Sequence, residues 1–251
     1  LMQQFSEGHR SIWISHYDIR PSKLFIGADQ RLAIYVSGQF ESAPRRFSTS
    51  YQRWSDDYRS SLFECIEYGD VTASEHPNSV PKVGTELGQR VMYRVCKRAT
   101  LSKDYGSAAP SYFHNAPRYW IRAMDTIPYF WNEKDGQRIS TQIKTLMLSS
   151  ETDAAVETAA LNSSLFYWWF VVLSDCRHLN LREIDLFPIG ISVMQRQTKV
   201  QLAQLCQALM NSYAANSVRK KAFYQATGAV EYDEYYPRYS KPIIDEIDRV
   251  L

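Results

Sequence analysis

The chain is short of the residues that mark several protein classes. Only four of its 251 residues are cysteines and no two form a Cys-x-x-Cys pair, which argues against a disulfide-stapled scaffold and a zinc ribbon. Ten glycines and ten prolines are too few for a collagen-like or low-complexity chain. The most apolar run, Leu165–Leu173, is much shorter than the roughly 20 residues that span a membrane, and it predicts a buried helix.

Neither sign of charge dominates the chain. The 29 basic and 27 acidic residues leave a net charge of +2, which gives no strong general attraction to nucleic acid or to a membrane. The first residues lack the features of a signal peptide, and the cysteines suit a reducing compartment, so we expect a cytoplasmic protein. The first residue is not methionine, and the apolar spacing of Pro242–Leu251 continues to the last residue. We therefore expect a piece of a longer chain.

Common catalytic and metal-binding motifs are also missing. The sequence contains no G-x-S-x-G, H-E-x-x-H or G-x-x-x-x-G-K-[ST] pattern. Its five histidines are scattered, and a lone histidine is usually a structural polar group. The sequence therefore predicts no self-contained active site and no metal site, and the catalytic residues stay unknown.

What the sequence does have is a basic, aromatic-rich middle. Residues 82–144 carry eleven basic and five acidic residues, and tyrosine, phenylalanine and tryptophan are interleaved with them. Basic groups contact phosphates and flat rings stack on bases, so this mixture suits nucleic acid. A β-rich domain with an ordinary charged face and an aromatic core would show the same composition.

Periodicity predicts a mixed α+β chain, with a piece of one sheet at the front, a β-rich middle and helices behind it. We expect strands at Ser11–Ser15, Leu32–Val36, Arg90–Val95, Tyr119–Arg122 and Gln142–Leu148. A hydroxyl followed three residues later by an acid at Ser150 predicts a helix start, and one long helix is expected from Ala154 to Leu173. A second, amphipathic helix is expected over Ser192–Tyr213, with Val193 and Val200 in its buried stripe.

Four segments in order resemble one family, the adenine-specific DNA methyltransferases of type II restriction–modification systems. The first resembles the late part of their catalytic domain, the next two a Leu-Asn-Ser helix and its continuation, and the last the C-terminal tail. They are Trp13–Ile34, Ala160–Phe170, Asp175–Ile189 and Tyr239–Asp248.

The resemblance implies that residues 1–44 are the terminal strands of an α/β methyltransferase sheet. Residues 45–251 would form a mixed β-rich, TaqI-like target-recognition domain with C-terminal helices. The family transfers a methyl group from S-adenosylmethionine to the exocyclic amine of adenine, which is swung out of the duplex. The implied partners are double-stranded DNA and the remainder of the parent chain.

The sequence departs from the family by lacking the Gly-rich cofactor loop and the Asn-Pro-Pro-aromatic tetrad. Asn115–Tyr119 is only a partial match to the tetrad, because Ala116 replaces the first proline and Arg118 replaces the aromatic residue. We therefore expect this chain alone to bind no S-adenosylmethionine and to methylate nothing. Asn115–Tyr119 is better explained as a rigid turn that presents Arg118 and Tyr119.

The DNA-contacting residues are expected among the cations of the middle segment and of the front. Base edges are assigned to Arg118, Arg122 and Lys144, with Tyr119 beside them, and phosphates to Lys97, Arg98 and Arg138. Arg20 and Lys23 are expected to contact the backbone near the extruded base.

Four further residues are expected to have a defined role. Tyr35 is either a ring that stacks on a base or part of the sheet core. Asn162 is included among the DNA-binding residues, with a cap or bridge to backbone groups as its other role. Trp168 and Trp169, by contrast, are expected in the core.

Two other functions stay open at this point. One is a non-enzymatic module that binds protein or RNA through the aromatic and basic middle. The other is an unrelated hydrolase whose site the sequence does not reveal.

Overall fold

A computed structural model describes residues 10–40, 42–73, 79–117 and 119–251. The fold is mixed α+β, as predicted, with several sheets and comparable amounts of helix and strand. The chain divides into two compact units. The first comprises Leu1–Lys97 and Val171–Asp175, and the second comprises Arg98–Phe170 and Cys176–Leu251.

The first unit is built on a four-stranded sheet with the order β2-β1-β3-β4. Its strands are β1 (Arg10–Tyr17), β2 (Leu32–Phe40), β3 (Arg46–Gln52) and β4 (Gly69–Asp70). The first two confirm the strands predicted at the front of the chain, and they pair antiparallel, whereas β1 and β3 are parallel. The domain boundary predicted at residues 44 and 45 falls between β2 and β3 of this sheet, and it stays a prediction about the parent protein.

One end of this sheet lies over a small apolar core. Tyr17, Trp54 and Leu62 are buried together, and Leu24 and Ile34 pack against them. Because strand side chains alternate between faces, Tyr17 and Ile34 reach the same face from neighbouring strands.

The first unit also contains a helix, α1 (Glu86–Val95), in place of the strand predicted at Arg90–Val95. That prediction was wrong because the buried residues Met92 and Val95 are three apart, which is helical spacing. Thr85 caps the helix, since its hydroxyl accepts a hydrogen bond from the Gly88 amide.

Lys82 binds residues 171–175, which belong to the first unit. The Lys82 ammonium donates to the carbonyl oxygens of Val171, Val172 and Ser174 at 3.1, 3.2 and 2.6 Å. The Lys82 amide also donates to the Val172 carbonyl, so a stretch distant in sequence becomes part of this unit.

The second unit has two sheets, ordered β6-β5-β9 and β10-β11-β7-β8. The strands are β5 (Tyr105–His114), β6 (Ala123–Met124), β7 (Phe130–Asn132), β8 (Gly136–Gln137), β9 (Ile143–Leu148), β10 (Val218–Tyr224) and β11 (Gly228–Glu234). Strand β9 confirms the prediction at Gln142–Leu148. The strand predicted at Tyr119–Arg122 is wrong. Arg122 lies beside β5, where its carbonyl accepts a hydrogen bond from the His114 amide, but the segment does not form a strand.

Five further α-helices lie in the described part of the chain. They are α2 (Glu151–Leu161), α3 (Ser164–Leu173), α4 (Leu181–Asp185), α5 (Arg196–Ala215) and α6 (Lys241–Val250). The start predicted at Ser150 is confirmed, since its hydroxyl accepts from the Asp153 amide. The single helix predicted from Ala154 to Leu173 is wrong. It breaks at Ser163, whose hydroxyl bonds to the Ala160 carbonyl and accepts from the Phe166 amide.

Helix α5 confirms the amphipathic helix predicted over Ser192–Tyr213, although Val193 and Val200 are exposed and not buried. The core position predicted for Trp169 is confirmed, because its ring is fully buried and its indole donates to the Glu183 carbonyl. Trp168, predicted with it, is only partly buried. Within the described part of the chain, no helix combines the length and apolar character needed to cross a membrane.

Candidate nucleic-acid interface

A cationic face lies on helix α1 in the first unit. Arg90, Tyr93, Arg94 and Lys97 are three, four and seven residues apart, which brings them to one side of a helical path. All four are exposed, while Met92 and Val95 are buried on the opposite side. We call these four residues the α1 face.

The cations of the α1 face are little neutralised. Neither Arg94 nor Lys97 has an acidic partner among the described residues, and the Lys97 ammonium lies 3.9 Å from the centroid of the Tyr93 ring. Arg90 makes one long contact of 3.9 Å with Glu86 at the start of the helix, where both side chains are mostly exposed. Such an exposed, long contact neutralises little of the charge on Arg90. The α1 face therefore presents a row of positive charge to solvent.

Many other exposed cations are paired with acids. On the hairpin of β10 and β11, Arg219 contacts Asp233 at 2.5 Å and Lys221 contacts Glu231 at 2.6 Å. On helix α6, Lys241 pairs with Asp245. Such pairs stabilise the unit in which they lie and leave less charge available to a polyanion.

The predicted residues of the middle segment are divided between the two units. Lys97 belongs to the α1 face in the first unit, whereas Lys144 is exposed on β9 in the second. Arg98 donates to the Leu251 carbonyl at 2.9 Å, and Arg138 pairs with Asp135 at 2.6 Å. Tyr119 has 75% of its surface exposed, which suits a ring that meets a ligand.

The remaining predicted contacts fall outside these groups. Arg118 lies outside the described residues. Arg20 is exposed, and Lys23 pairs with Asp29, whose pKa that lysine lowers by a hydrogen bond to the carboxylate. The Tyr35 ring is 53% exposed on β2, so the sheet-core alternative is wrong and the ring is accessible.

Arg122, in the second unit, has an unusual environment. Its side chain is half-buried, with the guanidinium carbon 5.3 Å from the centroid of the Tyr235 ring. It makes no ion pair or side-chain hydrogen bond within the described part of the chain, and its Nε is enclosed without a partner. Burial lowers the pKa of Arg122. The structure therefore places a cation in a partly dehydrated environment, with no acidic partner among the described residues.

Asn162 holds the chain beside Arg122 in place. Its side chain is fully buried, and its Nδ2 donates to the carbonyls of Ala123 and Thr158, both at 2.8 Å. Its Oδ1 accepts from the Tyr213 hydroxyl at 3.0 Å. Asn162 thus bridges backbone groups, and this burial removes it from the DNA-contacting residues.

Two other buried groups have perturbed titration. Burial raises the pKa of Glu157 on α2 to about 7, and its carboxyl group lies beside the hydroxyls of Ser111 and Thr158. In the first unit, burial and then the charge of Lys82 lower the pKa of His16 to about 3. No cluster of three or more histidine, cysteine, aspartate or glutamate side chains suited to a metal ion occurs among the described residues.

Sequence reasoning missed Arg90, Tyr93 and Arg94 as a candidate interface. The signal that could have found them was the helical spacing of Met92 and Val95, which a strand interpretation conceals. Comparisons with protein-family models, with curated proteins and with solved structures return no match for this chain.

Proposed function

We propose that this chain is the DNA-recognition part of an adenine-specific DNA methyltransferase of a restriction–modification system. The family is supported by the four ordered sequence segments. The sheet of β1 to β4 would then include terminal strands of the methyltransferase sheet. The observation that supports DNA binding is the α1 face, where exposed cations have few acidic partners.

The α1 face has the chemistry of a phosphate-binding surface. Arg94 and Lys97 are exposed and have no acidic partner in the described part of the chain, so each is available to a phosphate oxygen. Each phosphate that a protein neutralises releases condensed counterions from the duplex, and this release favours binding. Tyr93 adds an exposed ring beside these charges.

The chemistry of methyl transfer is not assigned to this chain. S-adenosylmethionine would supply the methyl group in the parent protein, but the residues present here do not fit it. Gly69 and Gly84 permit close approaches, yet a Cβ at either would lie 2.5 Å from the fold's own backbone, at the Val83 carbonyl and the Ser50 amide respectively. These approaches are filled by protein, and the sequence has no Gly-rich loop.

The salt dependence of duplex binding tests the proposal. The logarithm of the affinity should fall linearly with the logarithm of salt concentration, with a slope of about −0.9 for each phosphate contact. In the double variant R94Q/K97Q the slope should become less steep by about two such contacts, or roughly 1.8. Circular dichroism checks that the variant is folded.

The matched control is the double variant K241Q/R249Q on α6. It removes the same charge from another helix, but both cations already pair with acids on that helix, Asp245 and Glu246. Its slope should equal that of the wild type. A flat salt response of the wild type, preference for single-stranded RNA, or equal slopes for all three proteins would contradict the proposal. Methyl transfer to adenine by the purified chain alone would contradict the division of roles.

A further inference from the structure

Arg122 presents a fixed pair of donors. Among its three side-chain nitrogens only Nε is enclosed without a hydrogen-bond partner, so the two terminal nitrogens, which also make no hydrogen bond in the described part of the chain, reach solvent. The stem is half-buried, and the guanidinium plane rests near the Tyr235 ring. The two terminal nitrogens thus keep contact with solvent, while the Nε side of the guanidinium is enclosed.

The surroundings of Arg122 are held by a buried network. Asn162 binds both backbone groups of Ala123, the next residue, through its Nδ2 at 2.8 Å and its Oδ1 at 3.4 Å. The same Oδ1 accepts from Tyr213, whose ring centroid is 6.1 Å from that of Tyr235. One fully buried amide therefore positions both the backbone that carries Arg122 and the ring against which Tyr235 packs. A side chain ordered in this way loses little rotamer entropy on binding.

The guanidinium fork of Arg122 lacks the acidic partner that two other arginines of the second unit have. Arg219 pairs with Asp233 and also stacks on Tyr129, with 3.6 Å between its guanidinium carbon and the ring centroid. Arg138 pairs with Asp135. Because a partly desolvated cation without an acceptor costs free energy, a ligand that supplies two acceptors to Arg122 would be favoured.

We propose that Arg122 reads a guanine base in the major groove, its terminal nitrogens donating to N7 and O6. This inference rests on the proposed function. Guanine presents two acceptors side by side on that edge, whereas adenine presents an acceptor and a donor, and cytosine presents a donor. A fork that only donates therefore accepts guanine and rejects the other two.

The test begins with selection of binding sites from duplex DNA that has a random central region, using the full 251-residue chain. Wild-type protein should enrich sites with an invariant guanine. R122K keeps the positive charge but loses the planar fork, so it should lose about tenfold or more of the preference for that guanine. Affinity for unselected DNA should change less than twofold. R196Q, which changes an exposed arginine of the same unit, should keep the preference for that guanine.

Replacement of the selected guanine by 7-deazaguanine removes the N7 acceptor and gives a second readout. It should weaken wild-type binding and leave R122K binding unchanged. If R122K retains the guanine preference, or loses affinity equally for all sequences, Arg122 is not a base reader and the inference is overturned while DNA recognition stands. If the wild type binds duplex DNA without enriching any site, or does not bind it, the proposed function fails with the inference.

Discussion

Replacing Glu157 by glutamine should make the second unit more stable at neutral and alkaline pH. Glu157 is fully buried on α2, and its Oε1 has no hydrogen-bond partner among the described residues. Burial disfavours the charged carboxylate, which raises the pKa from an ordinary 4.5 to about 7. The nearby Cys206 thiol stays neutral over this range, because burial raises its pKa to about 12.

The sign of the effect follows from proton linkage. The pKa of Glu157 is higher in the folded protein than in the unfolded chain, so the folded state holds its proton more tightly. The stability this proton contributes is complete below pH 4.5 and is lost as the pH rises towards 7. A gap of about 2.5 pKa units corresponds to about 3 kcal/mol in the free energy of unfolding. For a unit of this size that is roughly 6–12 °C in Tm.

The E157Q variant has a neutral amide at every pH, so it does not undergo this loss. Urea unfolding followed by tryptophan fluorescence should give similar free energies for wild type and variant at pH 4. At pH 8 the variant should be more stable by about 3 kcal/mol. E151Q, an exposed glutamate of the same helix, is the control and should differ from wild type by less than about 0.5 kcal/mol. A difference between wild type and E157Q that stays constant from pH 4 to pH 8 would refute the reasoning.

Two further perturbations have definite outcomes. Because the pKa of His16 is lowered by burial and then by Lys82, the first unit should lose stability as pH falls below 6.5 towards 3. H16Q should abolish this dependence, roughly 1.4 kcal/mol per pH unit, in urea titrations at pH 4–7, and parallel curves for the two proteins would disprove it. N162A leaves the buried Ala123 carbonyl and Tyr213 hydroxyl without their partner, so thermal unfolding should show a loss of about 3–5 kcal/mol. A loss under about 1 kcal/mol would mean that other groups replace the amide.

Elements that depend on local chemistry could be predicted from the sequence. Short β-prone apolar runs predicted β1 and β2, and the hydroxyl of Ser150 with the acid at Asp153 predicted the start of α2. In these cases the interaction that defines the element lies within a few residues of it.

Features that depend on distant partners could not be predicted. The role of Asn162 is such a feature, because its partners Ala123 and Tyr213 are 39 and 51 residues away. The lack of an acidic partner for Arg122 among the described residues could likewise not be predicted locally, because it depends on which acidic side chains the fold brings near the guanidinium. Arg219 shows the contrast, because the hairpin turn brings Asp233 beside it.

The α1 face could not be predicted from the sequence for a related reason. Arg90–Val95 is a short window in which apolar and polar residues nearly alternate, so strand and helix patterns both fit it. The choice depends on which residues are buried, and Met92 with Val95 decides for a helix. Only then do Arg90, Arg94 and Lys97 come to one side.

The anchoring of residues 171–175 by Lys82 has a consequence for genetic exchange. The first unit is not one contiguous stretch of the gene, because its fold includes five residues encoded between the two segments of the second unit. A single crossover between codons 97 and 98 would join the first unit of one protein to another protein's version of these five residues. Hybrids that inherit both stretches from the same parent should therefore express as folded protein more often than single-crossover hybrids.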